Sequence, residues 1–394
     1  MRELPLFPVT SVGSWPRPDA LERARGKHRR GQLDDREFAR LADGAALEAL
    51  RAQESAGCDL VTDGEVRRDN FYSFVADKLE GVRTMSLAEM LDVVEDKEGF
   101  ARILDTLDVP AFSIHNPTCV GKVRRKEALA TDDVRFLRAH TSRPIKVTLP
   151  GPYLLTRAMW VKEVTRGIYP TKEALGDDVV VALREEVFAL AAAGVEFIQL
   201  DEPVLTELVF TQGMTRTFMC AALAARKDPA EELELAVELI NRVVAGLDGP
   251  VAGGPVAGGV RTGLHVCRGN WSQDEATLLR GSYRPLVPYL ERIQVTQLVL
   301  EYATERAGEL VVVEGKELGL GVVNPRTHAL ESPEAIVHRV REAMRHYPAS
   351  HIFLNPDCGF GTFASRPMNT PDIAAKKLAA MVRAAELLRA EARR

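Results

Sequence analysis

Short apolar, β-branched runs recur along the chain. Each is continuous at first, polar at its end, and separated from the next by an amphipathic stretch. They span Val9–Trp15, Leu60–Glu65, Ile145–Pro150, Phe197–Pro203, Val260–Cys267, Gln297–Tyr302, Leu318–Asn324 and Ile352–Cys358. Continuous rather than alternating apolar character suits parallel strands covered on both faces. Helical periodicity lies between them, as over Asp177–Ala193 and Glu231–Leu247, and Pro371–Arg394 reads as a closing amphipathic helix. Eight strands alternating with helices predict an α/β fold, a (β/α)8 or TIM barrel. Residues 1–394 are expected to form one barrel domain. The stretch 70–145 is long for a single connection between strands 2 and 3. Its helical patterns at Ser86–Leu107 and Thr131–His140 predict a helical insertion that caps the barrel mouth. The Gly-rich GPVAGGPVAGG at 249–259 reads as a flexible connection.

Composition narrows the function classes. The chain has 394 residues, 46% hydrophobic and 27% charged, with a net charge of -5, which gives no electrostatic footprint for nucleic acid. The basic run Lys122–Lys126 is short, and a solvated helix face accounts for it. No apolar N-terminal segment or membrane-spanning run is evident, so a cytoplasmic protein without a membrane partner is expected. The cysteines are Cys58, Cys119, Cys220, Cys267 and Cys358. A sparse, odd set argues against a disulfide framework and makes grouped cysteines candidates for metal binding or catalysis.

The polar residues collect at the ends of the expected strands, where barrel enzymes carry their chemistry. Gly13-Ser14-Trp15 ends the first run, Asp63-Gly64-Glu65 the second and Asp201-Glu202-Pro203 the fourth. His265 and Cys267 are two apart on an extended strand and share a face, while Glu301 and Cys358 end the sixth and eighth runs. One imidazole, two thiolates and one carboxylate suit a tetrahedral Zn²⁺. Such a set leaves the site at a net charge of about -1 with zinc bound, a poor Lewis acid for carbonyls that still deprotonates a thiol. A carboxylate ligand can also give way to an incoming sulfur. Cys58, Cys119 and Cys220 have no comparable setting and read as ordinary core or surface residues.

Taken in order, VGSWPRP, LVTDGEVRRDNF, LPGPYLL, IQLDEP, LHVC, the Glu of VLEYATER and NPDCG resemble the cobalamin-independent methionine synthase family over nearly the whole chain. The resemblance implies a zinc-dependent methyltransferase that moves a methyl group from methyl-folate, or from a methylcorrinoid on a corrinoid protein, to the thiol of homocysteine. It also implies zinc on His265, Cys267, Glu301 and Cys358, and substrate binding by Ser14, Glu65 and Asp201. Two carboxylates suit an ammonium, and a Gly-Ser turn suits a carboxylate.

Three departures from the family pattern stand out. A single barrel is expected over these 394 residues. Arg326 stands where the family has a catalytic His, so Asp201 and Arg326 are the catalytic candidates. The family's folate-stacking Trp falls near Ala158, with Trp160, Trp15 and Trp271 as aromatic alternatives whose role reads as core packing. Because Arg fits a sulfonate or another oxyanion, alkylation of a different thiol, such as epoxide opening by a sulfonated thiol, is the alternative reading. A non-catalytic barrel holding a corrinoid or storing zinc is a third.

Overall fold

A computed structural model describes residues 4–95, 97–98, 115–210, 228–247, 259–270, 272–273, 278–364 and 367–393. Its centre is a parallel sheet of six strands in chain order: β3 (Lys146–Pro150), β4 (Phe197–Asp201), β5 (Arg261–Val266), β6 (Gln297–Leu300), β7 (Glu317–Val323) and β8 (Ile352–Pro356). All five residues of β3, β4 and β8 are buried, as their continuous apolar character predicted.

The first two expected strands are reduced to isolated parallel bridges, Val9 with Leu354 and Val61 with Ile145. Val9 sits beside β8, flanked by bonds from Leu354 N to Pro8 O (2.8 Å) and from Thr10 N to Leu354 O (3.1 Å). On the other side, Lys146 N donates to Val61 O at 2.9 Å, and Asp59 N to Val9 O at 2.8 Å.

Helices cover the sheet. Lys172–Ala192 and Pro229–Val244 follow β3 and β4, and Pro333–Ala343 follows β7. The C-terminal helix Pro371–Ala392 packs on Asp35–Ala56 and on Pro333–Ala343. Thr171, Asp228, Ser332 and Thr370 each accept a backbone N–H at the start of one of these helices. Such caps stabilise a helix start by about 1 kcal/mol each. Among the described residues, no helix is long and apolar enough to cross a membrane.

The stretch 70–145 departs from expectation. It carries a two-stranded antiparallel ribbon, β1 (Leu79–Ser86) with β2 (His115–Arg125), which the helical reading missed. Helix is present over Leu87–Val93, behind a Ser86/Glu89 capping box, and over Thr131–Arg138. Residues 99–114 lie outside the described residues, and so do 248–258 of the Gly-rich connection. The basic run lies on strand β2 rather than on a helix face. There Arg125 pairs with the buried Glu186 at 2.6 Å. The ribbon's partner strands are about thirty residues apart in sequence, so no local period announces their pairing.

Candidate metal and thiol site

Strand register assembles the site. Asp201 at the end of β4 pairs with His265 on β5, Val266 pairs with Leu300, and Val323 pairs with Pro356. Cys267, Glu301 and Cys358 therefore emerge one or two residues past the ends of neighbouring strands. His265, Cys267 and Cys358 are buried, and one ligand atom from each lies within 4.8 Å of the others.

Each member is oriented from behind. His265 Nδ1 lies 3.1 Å from Asp201 Oδ1, which also accepts Gln199 Nε2 at 2.7 Å. A carboxylate on one ring nitrogen sets the tautomer, and the other nitrogen, Nε2, lies 3.3 Å from the Asp357 carbonyl oxygen. Burial drives the His265 pKa down. The Asp201 hydrogen bond and the Cys267 and Glu301 charges outweigh it and raise the pKa to about 9. The Cys358 thiol donates toward Cys267, lowering the Cys267 pKa and pushing its own well up. In contrast, burial pushes the Cys58 and Cys119 thiols up to about 12 and about 11, as expected for inert cysteines. Cys220 lies outside the described residues.

Glu301 stands outside the three-membered group. Its Oε1 accepts from Arg268 N at 3.0 Å and from Asn270 Nδ2, and its Oε2 accepts from Arg306 Nη2 at 3.0 Å. Arg326 is buried and turned toward Asn270, donating from Nε to Oδ1 at 3.0 Å. It does not appear among the described residues that line the pocket. The residue that motivated a sulfonate-binding reading thus points at the protein.

The pocket encloses about 610 Å³, part of it open to solvent. Ser14, Glu65 and Asp201 line it together with the three metal candidates, so the structure brings six of the expected residues to one cavity. Glu65 Oε1 accepts from Thr148 Oγ1 at 2.6 Å, Oε2 is buried without a protein partner, and burial raises the pKa of its carboxyl. The Glu65 backbone is held at φ +53°, a conformation costing about 1 kcal/mol or more for a non-glycine residue. Arg17 secures it, donating to the carbonyls of Glu65 (2.8 Å), Arg68 (2.9 Å) and Gly361 (2.5 Å). A Cβ on Gly359 would lie 2.0 Å from Ser14 Oγ, so only glycine lets the NPDCG turn approach Ser14.

Sequence reasoning missed Arg17, Asn270, Arg306 and the aromatic wall of Phe71, Tyr72 and Phe363. The charged residue in SWPRP and the polar RGN after HVC were the available signals. Trp15 instead packs edge-on against Phe360 at 6.0 Å, Trp160 bonds the Tyr169 carbonyl at 3.4 Å, and Trp271 lies outside the described residues. Ala158 is buried.

The family described as "Cobalamin-independent synthase, Catalytic domain" matches residues 7–228 and 264–387. A methionine synthase of Saccharolobus solfataricus is 27% identical over 399 aligned residues, covering 100% of this chain and 98% of that protein. A methionine synthase of Thermococcus kodakarensis is 29% identical over 393, covering 99% and 95%. Among solved structures, a B12-independent methionine synthase from Shewanella sp. W3-18-1, in complex with selenomethionine, gives a TM-score of 0.71 at 22% identity. It covers 98% of this chain and 99% of that one, which supports the fold. With the family matched over most of its length, the chain belongs to the cobalamin-independent synthase catalytic-domain family, enzymes of the methyltransferase class.

Proposed function

We propose that the protein transfers a methyl group to the thiol of homocysteine, forming methionine, on a single (β/α)8 barrel completed by the segments around Val9 and Val61. The observation that carries this reading is the convergence of His265, Cys267 and Cys358 in a pocket also lined by Ser14, Glu65 and Asp201. Donor chemistry fits zinc: one imidazole and two thiols, all buried, form a soft mixed set. When bound, zinc would favour the thiolate form of an incoming thiol.

The chain's own groups do the rest. Asp201 orients the His265 ring and, with Glu65, offers carboxylates to the substrate ammonium. The Ser14 turn receives the substrate carboxylate. Val12, Phe71, Tyr72, Pro203 and Phe363 form an apolar wall that excludes water and accepts the methyl donor, a methyl-folate or a methylcorrinoid.

The experiment loads the protein with zinc and offers homocysteine with methyl-folate in one arm and methylcobalamin in the other. Methionine is expected in one arm at least, and Cys358→Ser is expected to abolish it. Absence of methionine in both arms, together with no calorimetric homocysteine binding, would overturn the proposal.

A further inference from the structure

The turn that presents Glu65 is gripped by one short segment of chain. Gly64 and Glu65 are successive left-handed residues, at φ +70° and +53°. The five carbonyls from Gly64 to Arg68 each accept from the segment 15–25. Trp15 N donates to Gly64 O at 2.8 Å. Arg17 Nη2 and Nε donate to Glu65 O (2.8 Å) and Arg68 O (2.9 Å). Arg25 Nη2 and Nη1 donate to Val66 O (2.9 Å) and Arg67 O (3.0 Å). A guanidinium is a rigid fork and can bridge two such carbonyls at once.

Both arginines are buried. Among the described residues, the hydrogen bonds of Arg17 all go to backbone carbonyls, the third being Gly361 O at 2.5 Å. Burial, and then the nearby Arg25, lower the Arg17 pKa to about 10, so it keeps its charge at neutral pH. A buried cation bonded in this way fixes the course of the backbone. What it fixes here is the direction of the Glu65 side chain, because an unrestrained glutamate would leave the left-handed region for negative φ. Held there, Glu65 Oε1 accepts from Thr148 Oγ1 at 2.6 Å and the side chain lines the pocket. The bond to Gly361 O ties the same clamp to the eighth strand end, where Gly359, Thr362 and Phe363 line the pocket.

We propose that Arg17 and Arg25 are positioning residues that hold the Glu65 carboxylate at the substrate's ammonium group, and so set a preference for an α-amino thiol over a thiol without the amino group. The proposal rests on the reading above in which Glu65 meets that ammonium.

The test compares homocysteine with 4-mercaptobutyrate, which keeps the thiol and the carboxylate and lacks the amino group. Binding of each to the zinc-loaded full chain is measured by calorimetry. Arg17→Met is expected to weaken homocysteine by about tenfold, the effect of one lost hydrogen bond to a charged group, and to leave 4-mercaptobutyrate unchanged. Zinc affinity, read by competition with a chelator, should also be unchanged. Glu65→Gln should show the same selective loss. Adding Arg17→Met to it should weaken homocysteine no further, because both changes act through one carboxylate. Arg17→Lys lacks the rigid fork and should behave like Arg17→Met. Arg25→Met keeps the Arg17 bonds and should give a smaller loss of the same kind, which decides the matter if the Arg17 variants do not fold. Equal weakening of both thiols by Arg17→Met, or additive losses in the double variant, would overturn the positioning role and leave the reading of the pocket in place. No homocysteine binding by the unsubstituted protein, or equal loss of both thiols in Glu65→Gln, would overturn that reading itself.

Discussion

Replacing Lys146 by Met tests the electrostatics of the sheet interior on which the site is built. Lys146 opens β3, is fully buried, donates to Ser11 O at 3.0 Å and stands 5.1 Å from the Phe197 ring centroid. Burial lowers its pKa from 10.5 to about 7, against the opposing pull of Asp201 and Glu65. That drop corresponds to about 5 kcal/mol of lost preference for the charged form. Between about pH 7 and pH 10.5 the unfolded chain binds more protons than the folded one, so stability rises with pH across this window. Below it both states carry the proton, and the full cost persists. The remaining cost is about 2 kcal/mol at pH 9 and about 1 kcal/mol at pH 10.

Met removes the charge and keeps the stem's volume. It gives up one hydrogen bond worth about 1 kcal/mol. Ser11 O still accepts from Thr10 Oγ1 at 3.2 Å, so it is not orphaned. Lys146→Met is therefore expected to stabilise the fold by about 4 kcal/mol near pH 6, with the gain vanishing near pH 10. Urea unfolding of both proteins at about pH 6, 8 and 10 measures the difference, in which other titrating groups largely cancel. A variant less stable than the original at pH 6, or a difference independent of pH, would refute the reasoning.

Two further substitutions probe the pocket. Asp201→Asn weakens the hold on His265 and should reduce zinc affinity by about 10–100-fold while the homocysteine KM rises, as read by chelator competition and initial rates. Gly359→Ala places a Cβ against Ser14 Oγ and should cost about 1–3 kcal/mol in thermal unfolding, with KM raised more than kcat is lowered.

Much of this was legible because parallel strands buried on both faces announce themselves without knowledge of their partners. The runs expected at 145–150, 197–203, 260–267, 297–302, 318–324 and 352–358 are all strands, mostly ending a residue or two early. They end early because the chemical residues follow the ladder rather than belong to it: Cys267 and Cys358 lie just past β5 and β8. The ribbon β1–β2 was not legible, since antiparallel pairing across a distant connection leaves no helical or continuous apolar signature. Nor was the Glu301 environment. Its chemistry as a donor could be read from residue type, but the guanidinium groups of Arg268 and Arg306 come from loops whose convergence no spacing reveals.

The sequence by itself determined the α/β pattern, the strand-end placement of His265, Cys267, Glu301 and Cys358, and the resemblance that pointed to thiol methylation, because residue type and period are local properties. Tertiary structure alone decided which of those four share a point in space, what holds Glu65 at its strained angle, and where Arg326 points. These depend on strand register and on charges brought together from distant loops. A buried carboxylate goes to whichever cation the fold places beside it, and here the fold places two arginines there.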